Sequence, residues 1–132
     1  MNAEIFPLGL PPELIADAFQ TGSEAAWRHS SAPKVVEWLS EHGFAVLGTE
    51  LWLVRGGGIQ QGIYINGIRE IHGNTISHRR NETWAAYVAR AAEETLLYLN
   101  TFKVPAEAST QGDVFFNIVW TSESDFLNLK MQ

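Results

Sequence analysis

Apolar positions along this chain switch between two periods, and the switches divide it into helices and strands. From the N-terminus, the apolar lead Ile5–Leu10 runs into Pro11-Pro12. These prolines open a short helix, because a first turn needs no partner for the missing N–H. Leu14, Ile15, Ala18 and Phe19 make its buried stripe, and Gly22 ends it. Ser23 caps a further short turn reaching Trp27. A second helix is better marked: Ser31 or Ala32 precedes Pro33, Val35, Trp38, Leu39 and His42 recur on one side, and Gly43 stops it.

At Phe44 the period drops to two. Phe44, Val46, Trp52 and Val54 point one way, while Ala45, Leu47, Leu51 and Leu53 point the other, so this strand is apolar on both faces. Gly48 within it marks a bulge or a close backbone approach. The run Gly56-Gly57-Gly58 belongs to a somewhat long hairpin loop leading into a second strand from about Gly62 to Ile71. Residues 72–81 form a polar connection to a long helix, about Glu82 to Phe102, with Asn81 as its cap. Trp84, Val88, Ala91, Thr95, Leu96, Leu99 and Phe102 make its stripe, Pro105 ends it, and a last strand runs from Asp113 to Thr121.

Helix, helix, strand, strand, helix, strand is an α+β order. A helix that returns the chain after the second strand makes the third antiparallel to the first. The expectation is therefore one α+β domain over residues 1–132. Its antiparallel sheet has three strands or more in the order 2-1-3, with the two-faced first strand central and helices packed against it.

Composition adds bounds. A chain of 132 residues with 45% apolar and 18% charged residues buries one core without covalent staples. The absence of cysteine removes disulfides, thiol nucleophiles and Cys-based zinc sites. The stretch Met1–Pro7 lacks the basic patch and apolar run of a signal peptide, and no segment nears the ~20 apolar residues of a membrane span. The expected location is the cytoplasm, with no membrane partner. Charge is uneven: residues 1–54 hold seven acids against Arg28 and Lys34, whereas residues 55–132 hold eight acids against seven bases. That balance disfavours nucleic acid and suits a basic partner. Glu13 and Asp17 on the first helix, and Glu37 and Glu41 on the second, stand four apart as like-charge pairs. Such pairs destabilise a helix slightly, so their presence hints at a binding face.

Catalytic signatures are lacking. Gly56-Gly57-Gly58 is followed by Ile59-Gln60-Gln61, not by the lysine and hydroxyl of a phosphate loop, and it sits in a hairpin. His42 closes an amphipathic helix, and His72 and His78 share a loop without a third ligand at telling spacing, so no metal or cofactor is expected. Ser77-His78 lacks a visible elbow or partner acid for a triad. His78-Arg79-Arg80 is the one dense basic cluster. With His72 it makes an alternative: a small-molecule or enzymatic domain holding an anionic ligand near residues 72–80. Of five tryptophans, four lie in patterned elements. Trp27 lies outside any clear stripe and is a candidate interface anchor.

Two segments carry a family resemblance. Ala45-Val46-Leu47-Gly48, entered from a helix with Val35 and Leu39, resembles the strand entry of a family of small bacterial immunity proteins encoded beside polymorphic toxins. Glu82-Thr83-Trp84-Ala85-Ala86-Tyr87-Val88-Ala89-Arg90 is similar to that family's second landmark, and Ala26-Trp27 to its lead-in. The resemblance spans roughly residues 26–120. Between the landmarks the chain departs from the family's aromatic-rich segment, with Ile65-Asn66-Gly67-Ile68 after Tyr64. The resemblance implies a non-enzymatic protein that blocks a cognate toxin domain by direct contact, with no catalytic residues. Glu13, Asp17, Glu37, Glu41 and Trp27 would then face the toxin. Oligomeric state is left open by the residues.

Overall fold

The computed structural model describes residues 5–130. In chain order its elements are α1 (Pro12–Ala16), β1 (Phe19–Thr21), β2 (Glu24–Trp27), α2 (Ala32–Glu41), β3 (Ala45–Arg55), β4 (Gly58–Gln61), β5 (Ile63–Ile65), β6 (Ile68–Glu70), β7 (Gly73–Thr75), α3 (Trp84–Thr101), β8 (Asp113–Thr121) and α4 (Glu123–Lys130). A 3-10 turn, Ala106–Thr110, precedes β8. The fold is α+β with an antiparallel sheet of six strands in the order β1-β2-β8-β3-β4, with β7 also paired to β3. Of the stretch Met1–Pro7 considered for a signal peptide, residues 1–4 lie outside the described residues.

Two corrections to the expected order 2-1-3 follow, and both come from tight turns. Residues 62–71 do not run beside β3; they form a separate hairpin, β5–β6. Gly56 and Gly57 both take left-handed backbone (φ 59° and 80°), so a two-residue turn pairs Arg55 with Gly58 at once. The ladder ends at Trp52↔Gln61 and the chain turns outward at Gly62. There φ is +85°, and a Cβ would stand 2.5 Å from the Glu70 carbonyl oxygen. The chain returns at Gly73, packed against the Thr49 carbonyl, and β7 completes the same edge of β3. The second correction concerns residues 19–27, expected as a helix end and a turn. They form the β1–β2 hairpin around Gly22-Ser23, with Thr21 opposite Glu24. Ala25, Ala26 and Trp27 are all buried in succession. A strand covered on both faces accommodates that run, whereas a single helical turn does not.

α2 and α3 cover one face of the sheet. Val35, Val36, Leu39, Ala92 and Leu99 pack there with Val46, Leu51, Leu53, Phe116 and Ile118. On the opposite face Ala26, Trp52 and Phe115 form a second cluster bordered by Phe19, Val54 and Ile59. β3 and β8 are thus buried on both sides and pair from Ala45↔Thr121 to Val54↔Asp113. The register shifts between Val46 and Gly48. A Cβ at Gly48 would meet the Asn74 carbonyl oxygen at 2.5 Å, so bulge and close approach coincide at this residue. The cap of α3 is Thr83, whose Oγ1 accepts from the Ala86 N–H at 3.1 Å. Asn81 takes a left-handed turn instead, with φ 64°.

Candidate functional site

The acidic helices are held from beneath and leave their carboxylates outside. Leu14 buries the inner side of α1, and the Trp27 indole N–H donates to the Leu14 carbonyl at 2.7 Å, pinning the short helix to β2. Glu13 and Asp17 are exposed on its outer side. α2 buries Ala32, Val35, Val36 and Leu39, which turns Lys34, Glu37 and Glu41 to solvent. Asp17 accepts a hydrogen bond from the Ser31 hydroxyl at 2.9 Å, tying α1 to the start of α2. Among the described residues no ion pair engages Glu13, Asp17, Glu37 or Glu41.

Trp27 itself has no exposed surface. Its ring packs on Phe6 and Trp120 at 6.0 and 6.2 Å between centroids. The assignment of Trp27 as an exposed anchor is therefore corrected: burial in β2 makes it a core residue that supports the acidic surface from below.

The basic residues of the 72–81 connection separate. His72 lies beside Phe102 near the C-terminal end of α3, with ring centroids 5.3 Å apart. Its Nε2 is 3.3 Å from a Glu70 carboxylate oxygen. His78 packs on Tyr87, near the start of α3, and on Phe126 of α4, at 5.1 and 5.3 Å. Phe102 stands fifteen positions after Tyr87, just past the end of α3, a rise of about 22 Å. His72 and His78 therefore serve opposite ends of one helix. Nε2 of His78 is 2.7 Å from the Glu82 carbonyl, and Arg79 and Arg80 project into solvent. The four side chains do not converge. The hollow at this end, about 350 Å³, is lined by Leu47, Thr75, Ile76, Ser77, His78, Tyr87 and Phe126, so only His78 of the four reaches it.

A cation that sequence reasoning overlooked, Arg90, organises this end instead. It donates to both oxygens of Glu82 at 2.8 and 2.9 Å, to Glu94 at 2.9 Å and to the Ser77 carbonyl at 2.6 Å. The guanidinium hydrogen bonds, helped by the Arg79 N–H, hold the Glu82 carboxyl down at about 2, against the opposing effect of burial. The same bonds from Glu82 and Glu94 push Arg90 further up. The Tyr87 hydroxyl donates to the Ile76 carbonyl at 2.7 Å, and burial raises its pKa. No family model, curated protein or solved structure matches this chain. The site is therefore read from its own residues.

Two carboxylates missed by the sequence reading stand on the sheet. Glu24 and Glu50 line a hollow of about 300 Å³ with Asn74, Asn117 and Val119 among its other walls. Glu50 accepts from the Trp52 indole at 3.2 Å. The signal for Glu24 was present in Gly22-Ser23, a two-residue hairpin dipeptide. Among the described residues no group of three or more acidic or imidazole side chains is placed to hold a metal ion. No helix among them is long and apolar enough to cross a membrane.

Proposed function

We propose that this chain is a non-enzymatic binding protein which, like the immunity proteins it resembles, neutralises a cognate toxin domain by protein–protein contact. The observation that carries the reading is the state of the carboxylates: Glu13, Asp17, Glu37 and Glu41 are exposed and engage no cation among the described residues. In the C-terminal half, Glu82 and Glu94 are instead paired with Arg90. An acidic surface held at a fixed spacing accelerates encounter with a basic partner and rejects acidic ones. The contact would cover the toxin's active site, and it calls for no cofactor, metal or nucleic acid. Neutralisation of a toxin made in the same cell places the protein in the cytoplasm.

The anionic-ligand alternative at His72, His78, Arg79 and Arg80 loses its basis once the two histidines sit at opposite ends of α3. The test is co-expression with the protein encoded by the adjacent reading frame. Rescue of growth by the wild-type chain, and failure of rescue by a variant reversing all four helical carboxylates to lysine, is the expected result. Equal rescue by both would remove the acidic helices from the binding face, and no rescue by either would reject the toxin assignment.

A further inference from the structure

We propose that the outer edge of β6 is a docking edge for an extended segment of a partner polypeptide that carries an aspartate or glutamate between apolar residues. The hairpin β5–β6 stands apart from the main sheet, so among the described residues each of its strands has one strand neighbour and one outer edge. All three residues of β6 are exposed, Ile68 to 68%. The inference concerns a different surface from the acidic helices and does not rest on them.

The turn fixes which main-chain groups face outward. Asn66 and Gly67 both take left-handed backbone (φ 52° and 78°), the conformation of a two-residue hairpin turn. In such a hairpin the residues flanking the turn, Ile65 and Ile68, exchange main-chain bonds. The next pair, Tyr64 and Arg69, points its N–H and C=O groups away from the partner strand. The two outer edges then differ. On the β5 side the Gln111 side-chain amide stands in for a peptide group: its Oε1 accepts from the Tyr64 N–H at 2.8 Å, and its Nε2 donates to the Tyr64 carbonyl at 2.7 Å. The Gln60 amide steadies Gln111 by donating to the same Oε1 at 3.0 Å. On the β6 side, among the described residues, no main-chain bond outside the hairpin engages the Arg69 N–H or C=O. One edge is sealed by a side chain, and the other opens to solvent.

The chemistry of the occupant follows from charge. A strand laid along β6 exchanges main-chain bonds with Arg69 and sets one of its own side chains directly opposite the guanidinium. That guanidinium forms no ion pair, since the cations paired among the described residues are Arg28, His72 and Arg90. A carboxylate opposite Arg69 complements it, and an apolar side chain one position along covers Ile68. Arg69 offers a single main-chain donor and acceptor, so these side-chain contacts supply the selectivity. A second copy of this chain is a poor occupant: a two-fold pairing that uses all of β6 opposes Arg69 to Arg69, and like charges directly opposite destabilise a sheet.

The test is residue-resolved amide hydrogen exchange on the full chain, with the blocked peptide Thr-Thr-Val-Glu-Val-Thr-Thr as probe and its Val-Lys-Val counterpart as control. In the free protein the Arg69 amide should be less protected than the Tyr64 amide, which Gln111 covers. With the probe about tenfold above its dissociation constant, exchange at Arg69 should slow by roughly tenfold. The lysine peptide should give no slowing. Arg69→Glu, at an exposed position, should invert the preference, so that the lysine peptide alone protects residue 69. The helical quadruple variant should retain the wild-type protection, which separates this edge from the helical surface. Absence of slowing at Arg69 at any soluble probe concentration, or equal slowing by both peptides, would overturn the proposal. So would a dimer by light scattering with the Arg69 amide already protected, because a second copy would then occupy the edge.

Discussion

Glu82 and Glu37 stand in different halves of the chain, and the fold treats their charges differently. Glu82 keeps about a tenth of its side chain exposed and lies 2.8 Å from Arg90, which also holds Glu94. Glu37 and its neighbour Glu41 face solvent on α2, where the nearby base Lys34 forms no ion pair with them among the described residues. The first arrangement spends charge on holding the connection before α3 to that helix. The second leaves its charge exposed to solvent and unpaired among the described residues. Carboxylate count alone would not separate these uses; the position of the cation does.

The largest expected effect tests the floor beneath the acidic surface. Trp27→Ala should cost about 3–5 kcal/mol of stability, measured by denaturant unfolding, because it empties a fully buried site. An exposed anchor would instead lose binding with little change in stability. Next, Arg90→Met should lower the melting temperature clearly, since it leaves the Glu82 carboxylate without its cation. The double variant with Glu82→Gln should recover part of that loss.

The Glu82 carboxyl also fixes the sign of a pH effect. Its folded pKa of about 2 lies below its ordinary 4.5, so its contribution to stability is full above 4.5 and is lost as pH falls towards 2. Glu82→Gln should flatten the dependence of unfolding free energy on pH in that window. An unchanged slope would mean that the Arg90 contact contributes nothing to acid resistance. The smallest effect belongs to the other region: Glu41→Lys converts a like-charge pair into an attractive one with Glu37 and should stabilise the fold by ~0.5 kcal/mol. A gain in stability paired with weaker partner binding is the signature of a charge retained for recognition.

Legibility followed the length of each element. β8 runs from Asp113 to Thr121 and α2 from Ala32 to Glu41, and their long patterns were readable from apolar spacing. β1 and β2 have three and four residues, too few for a period to register, and their apolar positions fell on a plausible helical stripe. The turn dipeptides Gly22-Ser23 and Asn66-Gly67 were the better signals there. Asn66-Gly67, with φ values of 52° and 78°, divides what periodicity read as one strand into β5 and β6. α4 left little stripe to find, because Leu127 and Leu129 are exposed. In the candidate site, the outward direction of Glu13, Asp17, Glu37 and Glu41 was legible from their spacing. The burial of Trp27 was not, since it depends on β8 and α1 closing over β2 from distant parts of the chain.

The central claim is that the helical carboxylates form the contact surface proposed above, and association kinetics with the protein encoded by the adjacent reading frame test it most directly. For the wild type the association rate should fall steeply as salt is raised, and for the variant reversed at Glu13, Asp17, Glu37 and Glu41 it should drop by about 100-fold at low salt. A rate insensitive to salt and unchanged by the four reversals would contradict the account.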